Sequence, residues 1–312
     1  MQSFIISVNA ILPIFIIMFL GVALRKTGLL PEAVAQSLNK LTFKLLLPLS
    51  LFKSISASDF RAAVDSRFLL GCVGLILLVF ATAWVLVSLC VKDNARRGAL
   101  IHGTFRSNYI ILGMPVVEAL FGADQVASAA VVTAVAVPMF NVLAVFTLEY
   151  FRGGTPSPRA ILKGIAKNPL IWGCVLGMTA ALLPFDLPTI LTSPVKQLAN
   201  AATPLALLAL GASLKADTFK AGKGMLLAGV ALRLVMAPVI GIGIGILLGF
   251  RGVQLGVMLA LFASPTAVSS YTMAQQMGAD ADLAGGLVVT TSAVSCITMF
   301  LWSFSLMELG LM

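Results

Sequence analysis

Apolar stretches interrupted by charges and Pro/Gly turns organise this chain from end to end. A helix needs about 20 apolar residues to cross the hydrocarbon core of a bilayer. Stretches of roughly that length recur at 4–24, 37–56, 68–91, 99–120, 126–149, 168–185, 197–214, 224–248, 253–275 and 284–307. The pattern predicts ten membrane-spanning helices with short connections and no separate soluble domain. Two spans are less uniform: 37–56 carries Lys40, Lys44 and Lys53, and 99–120 carries Arg106 and Glu118. The opening segment runs into its span without a basic leader, so it is expected to stay in the membrane.

Composition agrees with the pattern. Of 312 residues 59% are hydrophobic and 11% are charged, where a soluble domain carries roughly 25% charged residues. Mean hydropathy is +1.03, which excludes a water-soluble enzyme. The net charge of +9 is unevenly placed, and its distribution argues for loops and against a nucleic-acid surface. The first, third, fifth and seventh connections hold Arg25 and Lys26; Lys92, Arg96 and Arg97; Arg152, Arg159, Lys163 and Lys167; and Lys215, Lys220 and Lys223. The opposite connections hold Arg61 and Arg67, offset by Asp59 and Asp65, then Lys196 and Arg251. By the positive-inside rule both termini lie outside and the odd-numbered connections lie in the cytoplasm. Cys72, Cys90, Cys174 and Cys296 sit in apolar runs and read as small buried hydrophobes.

The two halves match weakly at a fixed offset of 156 residues. Gly21 falls on Gly177, Lys40 on Lys196, Pro48 on Pro204, and Phe-Gly-Ala-Asp at 121–124 on Met-Gly-Ala-Asp at 277–280. Five spans per copy is an odd number, so the second copy enters the membrane from the other side, the inverted-repeat plan of secondary transporters. The expected organisation is a first five-helix repeat over 1–153, a cytoplasmic connecting loop over 154–167 and a second, inverted repeat over 168–312.

The fourth and ninth spans carry the chemistry. TFRSNYIILGMPVVEALFGAD places Arg106, Ser107, Asn108, Gly113, Pro115 and Glu118 within one span. Gly-Met-Pro reads there as the junction of two half-helices, with Pro115 at the first position of the second. In LFASPTAVSSYTMAQQMGAD, Ser264 is expected to cap and Pro265 to open a half-helix, followed by Thr266, Ser269, Ser270, Tyr271, Gln275 and Gln276. Broken helices are tolerated in a membrane only where protein or a cavity receives their free backbone groups. Two exposed helix N-termini near the midplane favour an anion. The candidate substrate ligands are Asn108, Ser264, Thr266, Ser269 and Arg106. Gly113, Pro115, Pro265, Pro48 and Pro204 are the candidate crossing or hinge positions, with Asn39, Thr42, Asn200 and Thr203 as further lining. The competing reading is architectural, since proline and glycine are frequent in membrane helices.

Arg106 has two readings, an ion attractor in an inner vestibule or a side chain that snorkels or pairs with Glu118. Arg233 and Lys44 read as interfacial or paired, and His102 as packed near the cytoplasmic end. Trp84, Trp172 and Trp302 read as anchors or packing residues. No ladder of intramembrane acids, P-loop, nucleophile–base pair or zinc-ligand spacing is present. The sequence therefore predicts no enzyme, cofactor or metal, and leaves proton or sodium coupling open.

On the fourth-span RSNYIILGMP and the ninth-span ASPTAVSSYTMAQQMGAD, the chain resembles the bacterial branch of the auxin efflux carrier family. That branch comprises relatives of the plant PIN carriers that are commonly labelled malate or malonate permeases. The resemblance implies an all-α polytopic protein of NhaA/bile-acid-symporter-like plan, with spans 4 and 9 broken and crossing at prolines. It implies a scaffold of spans 1, 2, 6 and 7, a transport domain of spans 3–5 and 8–10, elevator-like alternating access, and a homodimer through the scaffold. Asn108 then contributes to the substrate site. The expected substrate is a small organic anion, a malate- or malonate-like carboxylate in preference to an auxin-like weak acid. The alternatives are sodium-coupled, bile-acid-symporter-like uptake, a non-transporting membrane sensor and an intramembrane enzyme.

Overall fold

The computed structural model describes residues 2–57, 65–122, 126–152, 158–182, 188–214 and 223–312. Arg61, Asp59, Asp124, Lys215 and Lys220, used above in assigning sides and matching the halves, lie outside the described residues. The first half contains α1 (Gln2–Lys26), α2 (Glu32–Leu41), a π turn π1 (Thr42–Leu46), α3 (Leu47–Ser56), α4 (Ser66–Cys90), α5 (Asn94–Phe105), π2 (Tyr109–Gly113), α6 (Met114–Phe121) and α7 (Val126–Tyr150). The remainder contains α8 (Pro158–Lys167), α9 (Pro169–Leu182), α10 (Thr189–Ser213), α11 (Lys223–Ala231), π3 (Leu232–Met236), α12 (Ala237–Leu247), α13 (Val253–Ala263), α14 (Ser269–Met277) and α15 (Ala281–Glu308). Among the described residues, four helices are long and apolar enough to cross a membrane, or five if the pair α8 and α9, bent by 59°, counts as one span.

The elements form two groups by packing. In one, α1 lies on α10, and α3 lies between α9 and α10. In the other, α4, α5 and α7 pack together, α12 packs on α4 and α13, and α14 and α15 close over the breaks. α1 also touches α6 and α15, so the groups share an apolar seam that includes Ile14, Met18, Leu112, Leu207, Leu210 and Val268. Outward faces are apolar as well: Phe19, Leu70, Leu89, Val175, Ile190 and Leu247 are exposed. This is the arrangement expected where the surrounding solvent is hydrocarbon.

Three π turns share one cause. Each ends two residues before a proline: π1 before Pro48, π2 before Pro115 and π3 before Pro238. Proline lacks an N–H and its ring clashes with the carbonyl four residues back; a widened turn accommodates both without stopping the helix. The expected break at Gly113–Pro115 is therefore corrected: the chain stays helical there. Pro48 likewise follows a π turn, and Pro204 lies inside the uninterrupted α10, so neither unwinds its span.

Two further expectations change. Part of the connection 154–167 is the amphipathic helix α8, whose exposed face carries Leu162 and basic side chains. Asn168 turns it into α9 by accepting the Leu170 N–H at 2.9 Å. Of the cysteines, Cys72 and Cys174 are buried, whereas Cys90 is exposed and Cys296 intermediate.

Candidate functional site: the crossing of two broken helices

The breaks fall at Arg106–Asn108 and at Ser264–Val268, and the two unwound segments pair with each other. The Asn108 N–H donates to the Pro265 carbonyl at 2.8 Å and the Ala267 N–H to the Arg106 carbonyl at 3.2 Å, which makes an antiparallel bridge between Ser107 and Thr266. Backbone groups freed by unwinding thus satisfy one another, as buried amides must. On the first strand, Arg106 and Ser107 lead into Asn108, and polar side chains of this kind compete with helical backbone bonding. On the second, Ser264 precedes proline, which biases it away from helical geometry, and it adopts φ −62°, ψ 152°.

This geometry revises the roles of the ninth-span residues. Ser264 ends α13 and does not begin the next half-helix; its hydroxyl donates back to the Ala260 carbonyl at 2.5 Å. Pro265 lies in the extended bridge, four residues before α14 starts. The Thr266 hydroxyl donates to the Gly103 carbonyl at 2.7 Å, and the Thr266 N–H donates to the Thr291 hydroxyl at 3.1 Å. Both side chains are fully buried and neither lines the cavity beside the bridge, and their hydrogen bonds hold the crossing together. Gly113 has its role in the same packing. A Cβ there would lie 2.8 Å from Ala260 Cβ and 2.9 Å from Ser264 Oγ, so only glycine lets this helix approach α13.

A cavity of about 150 Å³ opens on the other side of the bridge. Arg106, Ser107, Asn108 and Ser269 line it from the breaks, Asn141 and Phe140 from α7, Leu47, Ser50 and Leu51 from α3, Leu170 from α9, and Thr203 and Ala206 from α10. Arg106 is 7% exposed. Its guanidinium donates to Ser269 Oγ (3.2 and 3.0 Å), Asn141 Oδ1 (2.9 Å) and the Phe140 carbonyl (3.4 Å). All these acceptors are neutral. Glu118, weighed as its partner, is exposed. Asn108 is 5% exposed, and among the described residues neither its Nδ2 nor the Ser107 hydroxyl has a protein partner. A buried cation that has no counter-charge among the described residues, unspent amide and hydroxyl donors, and the N-terminal end of α14 converge on one small space, the complement of a carboxylate.

Asn141 and Ser50 were not anticipated. Asn141 is the lone amide in the apolar run of α7, three residues after Pro138, and that isolation is the signal that marks it. Of the further lining candidates, Thr203 reaches the cavity. Asn39 instead bonds Gln275, Thr42 bonds the Leu38 carbonyl at 2.9 Å, and Asn200 accepts from Lys53 at 2.6 Å. His102 is buried against Phe105. Trp84 stacks on Phe146 within the core, and Trp172 is exposed.

A second, larger cavity has a volume of about 610 Å³. Phe43 and Lys44 line it one turn before Leu47, and Asn168 and Pro169 line it just before Leu170. Lys163, Lys167, Arg152 and Glu149 complete its wall. Among the described residues there is no group of His, Cys, Asp and Glu side chains able to hold a metal ion.

Comparison with known proteins fits this geometry. The chain is 25% identical to an uncharacterized transporter of Methanothermobacter thermautotrophicus, over 95% of this chain and 97% of that protein. It is 23% identical to an uncharacterized transporter of Methanocaldococcus jannaschii, over 97% of this chain and all of the relative. A Rhizobium meliloti protein named "Putative malonate transporter" is 26% identical over 93% of this chain and 92% of its own length. The family model described as membrane transport protein matches residues 6–303. With nearly its whole length matched, this chain belongs to the membrane transport protein family, the auxin efflux carrier family.

Proposed function

We propose that this protein is a secondary transporter that moves a small organic anion across the cytoplasmic membrane, holding it in the cavity at the crossing of spans 4 and 9. The observation that carries this reading is Arg106, a buried guanidinium that lines the cavity and, among the described residues, bonds neutral acceptors alone. An isolated charge in low dielectric is costly, and an anion beside it lowers that cost. Asn108 Nδ2 and Ser107 Oγ then supply further donors to the same carboxylate. Drug-sized ligand pockets run from about 300 Å³ upward, so a cavity half that size favours a small mono- or dicarboxylate. The malonate named for the rhizobial relative is of this class.

The inverted ten-helix plan is supported by a contact that occurs twice. Gly21 packs against Leu208 and Gly177 against Phe52, each pair member displaced by 156 residues from its counterpart in the other pair. Two packing groups that meet at an apolar seam supply a scaffold and a transport domain, and an elevator-like slide along that seam exposes the cavity to either side. The basic second cavity lies at the end marked by the positively charged connections, so the present arrangement faces the cytoplasm, with both termini periplasmic.

Flux in proteoliposomes against a panel of carboxylates tests the reading. Substrate-driven flux is expected for a short mono- or dicarboxylate, and Asn108→Ala is expected to weaken apparent affinity about tenfold or more, the value of a hydrogen bond to a charged group. Binding without flux would point to a sensor. Unchanged affinity in Asn108→Ala would remove the site.

A further inference from the structure

The substrate cavity leaves one buried cation unused. Arg233 lies in π3, is 1% exposed and is not part of the cavity lining. Its Nε donates to the Ser264 carbonyl at 2.7 Å, its Nη1 to the Thr104 and Phe105 carbonyls at 2.9 and 3.4 Å, and its Nη2 to the Leu261 carbonyl at 3.3 Å. All four acceptors belong to the C-terminal ends of α5 and α13, the two half-helices that stop at the crossing. Among the described residues no Asp or Glu is buried, so backbone carbonyls alone meet this charge.

The carbonyl count at the end of α5 shows how complete the arrangement is. A helix leaves its last four carbonyls without helical partners. Here His102 accepts the Arg106 N–H at 3.1 Å, Gly103 accepts the Thr266 hydroxyl at 2.7 Å, and Thr104 and Phe105 accept Arg233. Each half-helix end carries roughly half a negative charge. Two such ends converging in low dielectric need a cation between them.

We infer that Arg233 is the resident cation of the crossing. Its guanidinium permanently fills a carbonyl cage of the kind in which broken-helix carriers bind a coupling cation, so no sodium ion is taken up there. Arginine suits the task because its donors form a rigid, always-charged fork that can serve four carbonyls at once. The two arginines of the site then divide the work. Arg106 faces the cavity and its anion, whereas Arg233 faces the carbonyl ends and joins the half-helices into one body. The statement about coupling rests on the transport reading; the cage and its stability do not.

Thermal unfolding of the full chain in detergent tests this without any substrate. Wild type, Arg233→Lys and Arg233→Met are compared in sodium chloride and in choline chloride of equal ionic strength. The wild-type midpoint is expected to be the same in both salts. Arg233→Met removes the charge at similar length and is expected to lower the midpoint by on the order of 5 °C or more, with Arg233→Lys recovering part of the loss. A wild-type midpoint raised by sodium would overturn the inference. Equal midpoints for the Lys and Met variants would do so too, because the charge would then be irrelevant. If neither variant accumulates, the wild-type salt comparison decides alone. Failure of the flux assay above would remove the transport reading and leave these melting results standing on their own.

Discussion

Arg106 and Thr266 lie on paired strands less than one helical turn from the same bridge, yet their side chains have opposite fates. Arg106 turns into the cavity, where Asn141 and Ser269 orient it through neutral acceptors. Thr266 turns away and spends its hydroxyl on the Gly103 carbonyl. Replacing Thr266 with valine keeps the volume and removes that bond. The expected result is a stability loss of about 1–3 kcal/mol from the orphaned carbonyl, read as a lower unfolding midpoint, with substrate affinity unchanged. A loss of affinity with unchanged stability would return Thr266 to the binding site. Sequence could nominate both residues because both are polar within apolar spans. It could not sort them, because sorting depends on which side of the bridge each side chain faces.

At the scale of elements, the break lies away from the proline of its own segment. The sequence places it at Gly113–Pro115, but Pro115 is absorbed by the π turn before it. The true break at Arg106–Asn108 exists because Pro265 and Ala267 offer backbone partners across the crossing. Ser107 and Thr266 form the non-hydrogen-bonded pair of that bridge, where Cα atoms approach to about 4.5 Å, within disulfide range. With Cys72, Cys90, Cys174 and Cys296 replaced, Ser107→Cys combined with Thr266→Cys should therefore cross-link on mild oxidation. A link between the two halves, found by mass spectrometry after cleavage, checks it; persistent free thiols would argue against the crossing.

At the scale of the whole molecule, a soft apolar seam separates two groups of helices, while the polar contacts of the crossing lie within one of them. In the proposed elevator movement the crossing travels as a unit, because its backbone bridge and the Arg233 bonds lie within one group, whereas the Asn39–Gln275 bond joins the two groups and has to break. The proposed orientation rests on the placement of charge. Single cysteines at Lys92 or Lys163 should react with impermeant maleimide only after the inner membrane is opened, and a cysteine at Lys196 should react in intact cells. Labelling of Lys163→Cys from outside would reverse the orientation.

Hydrophobic periodicity and the scarcity of charge determined the all-helical membrane class and the two segments that carry polar chemistry, because burial in hydrocarbon leaves few residue types free to vary. Motif resemblance extended this to a family. The structure alone decided where the helices break, which polar groups face the cavity and what Arg233 does. The break and the cage around Arg233 depend in part on carbonyls and amides supplied by segments more than a hundred residues away. Backbone groups are the same in every residue, so no local pattern records which of them will meet.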